Sequence, residues 1–172
     1  MTPAESSTSL PSPTARPRRS PAEQKRLDAA LTELFEQRIA FNQTLGLAVT
    51  SVRAPHPTMH FSMRPALLGH PLYSRLHGGV ISAVLDAMGG LALMVAMGEK
   101  HAEEESTQVL HRFVKMGTID LRVDYLRPGL GSAFTASADV TRLGGRIGAT
   151  QMRLVNDQGS LIATGAAAYV IS

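Results

Sequence analysis

His77-Gly78-Gly79-Val80-Ile81-Ser82-Ala83-Val84-Leu85-Asp86-Ala87-Met88-Gly89-Gly90-Leu91-Ala92-Leu93-Met94-Val95-Ala96-Met97-Gly98 decides how this chain is read. Between Gly78 and Gly98 it holds a single ionisable side chain, Asp86, among apolar and small residues. A helix that is apolar all round is a buried helix, so the segment is predicted to be the core helix of the domain. A carboxylate in such a helix costs several kcal/mol or more unless something pairs with it. Asp86 is therefore the first candidate for chemistry; the alternative is a carboxylate that caps or pairs within the core. A membrane span has about this length, but the glycines and the central Asp oppose insertion, and the amphipathic strands around it would be left without a core.

Outward from this helix, the strands carry a period of two. In Thr118–Leu126, Ile119, Leu121, Val123 and Tyr125 alternate with Asp120, Arg122 and Asp124, the pattern of a strand with one buried and one wetter face. Arg127-Pro128-Gly129 ends it. Ala133–Leu143 and Ile147–Val155 are strands joined through Gly144-Gly145, and Asn156-Asp157-Gln158-Gly159 is a hairpin turn before a last strand, Ser160–Ile171. The Ala and Gly of that last strand predict something packed very close to it. On the N-terminal side, Leu45–Arg53 and Thr58–Arg64 read as short strands. Ser20-Pro21-Ala22-Glu23 reads as a capped helix start with a capping box. Leu27, Leu31, Leu34 and Phe35 follow at helical spacing, and the helix is expected to end near Arg38–Asn42. Lys100–Glu105 is a solvated charge run. Ser106–Met116 is a short helix with Val109, Leu110, Phe113 and Val114 on its apolar side, and a candidate lid. The order is helix, two strands, long buried helix, four strands. A sheet buries all sides of one long helix only by curling round it, so the fold class is α+β.

Composition bounds the function. The chain has 172 residues, 44% of them hydrophobic, which suits one domain with a real core. It has no cysteine, hence no disulfide framework, no thiolate nucleophile and no Cys-ligated metal; a reducing, cytoplasmic setting fits. Residues 1–19 carry Arg16, Arg18 and Arg19 against Glu5, so most of the net charge of +3 lies in this stretch and the remainder is close to neutral. That argues against a nucleic-acid partner. Residues 1–19 are rich in Ser, Thr and Pro and are expected to be a disordered tail, with 20–172 as the folded domain. The tail lacks the apolar region of a secretory signal, and its prolines oppose a transit-peptide helix.

His77-Gly78-Gly79 stands where the core helix begins. The first N–H groups of a helix have no internal partner and carry the positive end of its dipole. Glycine lets a ligand approach them closely, which makes an oxyanion site. Asp86 lies eight residues beyond Gly78, about 12 Å along the axis. One carbonyl cannot touch both groups of the same helix. Joint action on one substrate therefore requires two subunits with antiparallel helices and two equivalent interface sites. Ala87, Gly89 and Gly90 are expected to permit close packing at that interface.

The stretch His77-Gly78-Gly79-Val80-Ile81…Leu85-Asp86, with Gly117-Thr118-Ile119-Asp120-Leu121-Arg122-Val123-Asp124-Tyr125-Leu126-Arg127-Pro128, resembles the hotdog-fold acyl-CoA thioesterases of the phenylacetate-pathway type. Within them it is most similar to a bacterial subgroup acting on medium- to long-chain acyl-CoA. The resemblance covers roughly residues 23–172. It implies a hotdog fold, a curled antiparallel sheet around one long helix, in a homodimer or a dimer of dimers (homotetramer), and a role in fatty-acid metabolism. Asp86 matches the family carboxylate, either a general base on water or a nucleophile. Gly78 matches the glycine whose N–H polarises the thioester carbonyl, with Gly79 beside it. His77 matches the motif histidine that orients the loop or a water. Many relatives have an Asn in the preceding loop; here His70, after Gly69, is its nearest equivalent, either a hydrogen-bonding partner of the substrate or a surface histidine. Tyr73 and Ser74 are weaker candidates.

A thioester is activated for acyl transfer, so a carboxylate and a positioned water suffice, and desolvation makes an Asp a better base. No metal or separate cofactor is expected, coenzyme A being part of the substrate. Arg127, with Arg142 and Arg146 flanking Gly144-Gly145, are candidates for its phosphates, or else ordinary surface cations. Few aromatics and a central helix rich in Leu, Met and Ala suggest a soft aliphatic acyl tunnel. The competing readings are a hotdog enoyl-CoA hydratase or dehydratase and a non-catalytic acyl-CoA-binding protein.

Overall fold

The computed structural model describes residues 18–70 and 72–172. The expected disorder of residues 1–17 lies outside them. Arg18 and Arg19, which the sequence reading placed in the tail, dock on the domain. Arg18 pairs with Glu99 at 2.7 Å, and the Arg19 guanidinium reaches the carbonyl oxygens of Gly98 and His101. Those carbonyls end the core helix, where a cation meets the negative end of the dipole.

Helix α1 (Pro21–Glu33) starts as predicted, with Ser20 Oγ accepting from the Glu23 N–H at 3.2 Å. The capping box does not close. The Glu23 carboxylate accepts instead from the N–H and hydroxyl of Ser106, 2.8 and 2.6 Å away, and so ties α1 to the later short helix. These bonds hold its carboxyl below its ordinary value. A π-helical turn, Leu34–Arg38, follows α1, and α2 (Ala40–Leu45) ends at Gly46 in the left-handed conformation. The strand expected over Leu45–Arg53 is therefore only β1 (Ala48–Ser51). Next come β2 (Thr58–Ser62), the small hairpin of β3 (Leu68–His70) and β4 (Arg75–Leu76), and the core helix α3 (Gly78–Lys100). After α3 come α4 (Ser106–His111) with a 3-10 turn (Arg112–Lys115), then β5 (Gly117–Tyr125), β6 (Ala133–Leu143), β7 (Ile147–Asn156) and β8 (Leu161–Val170).

Six strands form one antiparallel sheet in the order β1-β2-β6-β7-β8-β5. Its concave face holds α3. Val84, Leu85, Met88, Leu91 and Leu93 are buried against Ala136, Met152, Leu154, Ala163 and Tyr169 of the sheet. Each such side chain contributes about 1.5–3 kcal/mol on burial, which explains how a helix containing paired glycines holds together. The close packing predicted at the last strand is real: a methyl on Gly165 would stand 3.3 Å from Leu85 and 3.1 Å from Met152. This helix is long and apolar enough to cross a membrane, yet it lies within the sheet.

Two strand details differ from the alternation read in the sequence. The ladder between β5 and β8 slips between Thr118 and Asp120, and Ile119 in that bulge is 57% exposed. Tyr125 is 55% exposed, so only Leu121 and Val123 turn inward. Along α4 and its 3-10 turn, Val109 is buried but Val114 is exposed.

Candidate active site

Asp86 is half-buried, not sealed in the core. It shares a face of α3 with Ala83, Ala87 and Gly90, and all four line a cavity of about 240 Å³. Phe35, Ile39, Phe41 and Asn42 from the N-terminal helices form one wall; Phe113, Met116, Gly117, Thr118 and Tyr169 form the other. Thr118 Oγ1 donates to Asp86 Oδ1 at 2.8 Å, and the Tyr169 hydroxyl donates to the Asp86 carbonyl at 3.0 Å. Burial, and then the Asp86 charge, push the Tyr169 phenol far above its ordinary value, so it stays a neutral donor. Thr118 thus holds the carboxylate, and Tyr169 holds the backbone turn that carries it. Three of the five phenylalanines line this cavity. The wall is aromatic, in contrast to the Leu- and Met-rich tunnel expected from composition: those residues of α3 face the sheet.

The start of α3 forms a second cleft, of about 500 Å³, lined by Gly69, Arg75–Gly78, Ile81 and Tyr125–Gly129. Backbone bonds strap it in place: the His77 N–H to Leu67 O at 2.9 Å and the Leu76 N–H to Gly129 O at 3.0 Å. The approach leaves no space for a side chain at Gly69, where a methyl would stand 2.6 Å from the His77 Cα. His77 is the N-cap, its Nδ1 accepting from the Gly79 N–H at 2.9 Å. This places the imidazole proton on Nε2 when the ring is neutral. The Val80 N–H bonds to the His77 carbonyl, and among the described residues the Gly78 N–H has no partner. The Gly78 carbonyl accepts from the Tyr125 hydroxyl at 3.0 Å.

Asp86 and the Gly78 N–H thus open into different clefts of one chain, as the helical spacing requires. Gly89 and Gly90 do not offer an interface. Gly89 is filled by Tyr169 and Thr150 of its own chain, and Gly90 faces Phe35 and Met116. His70 lines neither cleft. Its Nδ1 accepts from the Leu72 N–H at 3.2 Å, its ring lies 4.7 Å from that of Tyr73, and the Arg75 guanidinium covers the other ring. Ser74 forms the turn of this hairpin with a positive φ. Arg127 belongs to the second cleft, where Nη1 donates to Leu161 O at 2.8 Å. Arg142, Gly145 and Arg146 surround the β6–β7 turn, beside Lys100 at the far end of α3. One chain therefore separates them from Arg127 by the length of the helix, roughly 33 Å.

Thr118, Tyr125, Tyr169 and Asn42 were not singled out in the sequence. Their roles depend on which strand faces which turn of α3, a pairing that local spacing does not encode. His101, Glu103 and Glu104 bring three potential metal ligands within 4.8 Å of one another. Glu104, however, is held by Arg112 through two guanidinium nitrogens, and the cluster lies at the opposite end of α3 from His77.

A curled sheet around one helix, with a carboxylate on that helix and, among the described residues, an unpartnered Gly78 N–H at its start, defines a thioesterase-type hotdog protein. The family model described as "Thioesterase superfamily" matches residues 73–163, and the chain belongs to that superfamily. It is 35% identical over 139 residues to the medium/long-chain acyl-CoA thioesterase YigI of Salmonella typhimurium, covering 81% of this chain and 90% of that one. A thioesterase-superfamily protein of Shewanella oneidensis, 34% identical, superposes with a TM-score of 0.81 over 90% of this chain and 100% of its own. The Escherichia coli PaaI protein of the phenylacetic acid degradation operon shares the fold, with a TM-score of 0.65 at 17% identity over 86% of this chain and 94% of its own.

Proposed function

We propose that the chain is an acyl-CoA thioesterase acting on medium- to long-chain acyl groups, and that it works as a homodimer whose two sites each join Asp86 of one protomer to Gly78 of the other. The observation that carries this is the separation of the two groups into different clefts along α3. The free edge of β5 supplies the means. It is nine residues long and carries exposed Ile119 and Tyr125, whereas the opposite edge, β1, is four residues long and bulged. A long edge with exposed apolar side chains is a template for pairing. Antiparallel pairing of two β5 strands about a two-fold axis between Leu121 and Arg122 sets Thr118 opposite the partner's Tyr125. Thr118 holds Asp86 and Tyr125 holds Gly78, so this register brings the two halves of the site together.

In that site the thioester carbonyl takes the Gly78 N–H, at the positive end of the helix dipole. Gly79 leaves room for it and His77 locks the first turn. Asp86, oriented by Thr118, removes a proton from water as the water attacks, or attacks the carbonyl directly. The tetrahedral intermediate collapses with loss of the coenzyme A thiolate, giving the free acid where water attacked, or a mixed anhydride on Asp86 that a second step with water hydrolyses to the acid. The same register places Arg146 and the partner's Arg127 on one rim of the joined sheet, three strand spacings or about 14 Å apart. With Arg142 beside the open turn at Gly145, they are assigned to the phosphates of coenzyme A. His70 has no assigned role. A cytoplasmic location follows from this substrate. A hydratase reading asks His77 to act as base, and its Nδ1 is already committed to the Gly79 N–H.

The test is thiol release from acyl-CoA by wild type and Asp86→Asn. A folded Asn variant is expected to lose about 10²–10⁴-fold in kcat, the range of general-base catalysis. Wild-type rates in that variant would remove Asp86 from the mechanism.

A further inference from the structure

The cavity beside Asp86 is shallow. Asp86 on its wall is half-buried, whereas Gly90, one helical turn or about 6 Å further along α3, is buried. Two rings close it: Phe35 and Phe113 meet edge to face, with centroids 5.7 Å apart and planes at 68°.

The two rings are anchored differently. Phe35 is buried and sits in the π-helical turn. Its carbonyl accepts from Asn42 Nδ2 at 2.9 Å, and Asn42 is 4% exposed. The neighbouring Glu36 carboxylate takes the Val49 N–H, which pins the same turn to β1. Phe113 belongs to a 3-10 turn with no buried residue. That turn is tethered at its base by the Arg112–Glu104 pair, and the ring itself is only half-buried. One side of the cavity floor is fixed and the other can yield.

Resting on the reading of this cavity as the acyl site, we propose that Phe113 is the specificity-determining residue for acyl-chain length. Seated against Phe35, it ends the cavity after a few carbons. Displaced, it extends the cavity into the space its ring occupies, so longer chains are accepted in proportion to how readily the ring yields. Gly90 keeps the floor open. A methyl there would lie 3.7 Å from Phe35 and 3.9 Å from the Met116 sulfur, in ordinary contact with both. It would therefore fit the resting protein while occupying space that an acyl chain needs.

The experiment measures kcat/KM over a ladder from butyryl-CoA to palmitoyl-CoA for wild type, Phe113→Ala, Phe113→Trp and Gly90→Ala, with thermal melting of each. Phe113→Ala is expected to raise the palmitoyl-to-butyryl ratio about tenfold or more. Phe113→Trp and Gly90→Ala should lower it, by about fourfold per methylene excluded, the factor that corresponds to the burial of one CH2. Phe113→Trp carries the test if Phe113→Ala does not fold, and Gly90→Ala, which should melt above wild type while losing long-chain turnover, checks the cavity floor independently. Thiol release with an unchanged ladder in the folded variants overturns the role of Phe113. No release by wild type from any member overturns the functional reading, and this inference with it.

Discussion

Gly89→Ala puts a methyl where the structure has no room for one. Its Cβ would lie against the Tyr169 hydroxyl, 3.0 Å from Tyr169 Cζ and 2.9 Å from Thr150 Oγ1. Both residues are buried, and neither contact is the far end of a flexible chain. Overpacking of this kind costs about 1–3 kcal/mol. Displacing the phenol also loses its bond to the Asp86 carbonyl, about 0.5–1.5 kcal/mol. The helix gains about 0.8–1 kcal/mol from replacing glycine. The net is a destabilisation of about 1–3 kcal/mol, a fall of roughly 3–10 °C in melting temperature for a chain of this length. Gly90→Ala makes only ordinary contacts, so it keeps the propensity gain and should raise the melting temperature by about 2–4 °C. Two adjacent glycines thus respond with opposite signs. Circular-dichroism melts of the pair test the packing, and thiol release tests its consequence, since a small shift of the Asp86 turn is expected to lower kcat in Gly89→Ala alone. A Gly89→Ala protein as stable as wild type would refute the packing argument.

Thr118→Val keeps the shape of the side chain and removes the donor to Asp86 Oδ1; kcat should fall about tenfold, equivalent to about 1.4 kcal/mol, with little change in melting. Unchanged kcat would mean that Thr118 does not orient the carboxylate. Glu23 contributes to an acid-side loss of stability: with its folded carboxyl held below 4.5 by Ser106, the native state binds fewer protons than the unfolded chain. That stability is present above pH 4.5 and is lost as pH falls through the lowered folded value. Glu23→Gln should flatten this part of the melting-temperature profile, and superimposable profiles would show that the Ser106 contacts do not stabilise the fold.

The core helix and the last four strands were legible because both are periodic over long runs. Asp86 stood out as the sole charge between Gly78 and Gly98, and the glycines at the start of α3 marked the proposed oxyanion end. What escaped notice was decided by tertiary contact. Ile119 continues an apolar alternation, but a bulge turns it to solvent. Leu45 looked like the start of a strand and instead ends a short helix, because Gly46 takes the left-handed turn that closes it. The glycines of α3 read as a surface for a second subunit, though small residues suit equally well the chain's own side chains, Tyr169 at Gly89 and Phe35 at Gly90. Nothing local distinguishes these, and the fold uses the second. The aromatic cavity wall is assembled from the π-helical turn, the α4 segment and β8, elements far apart in sequence whose rings have no common period.

Subunit sharing of the site can be tested by complementation. Gly78→Pro removes one N–H and little else. Proline suits the first position of a helix, and His77 already has the extended backbone that must precede it. A Cβ at this position would meet Tyr125 at no less than 3.4 Å. Homodimers of Gly78→Pro lack the oxyanion donor at both sites, and homodimers of Asp86→Asn lack the carboxylate at both. In a mixed dimer one site receives both lesions, and the other receives Gly78 from one chain and Asp86 from its partner. Random reassembly of equal amounts makes about half the dimers mixed, each with one intact site, and so restores about a quarter of wild-type activity. If each chain instead carried its own complete site, every site in every dimer would contain one lesion. Mixing the two inactive proteins would then give nothing, and that result would overturn the shared-site dimer whether or not the substrate assignment is correct.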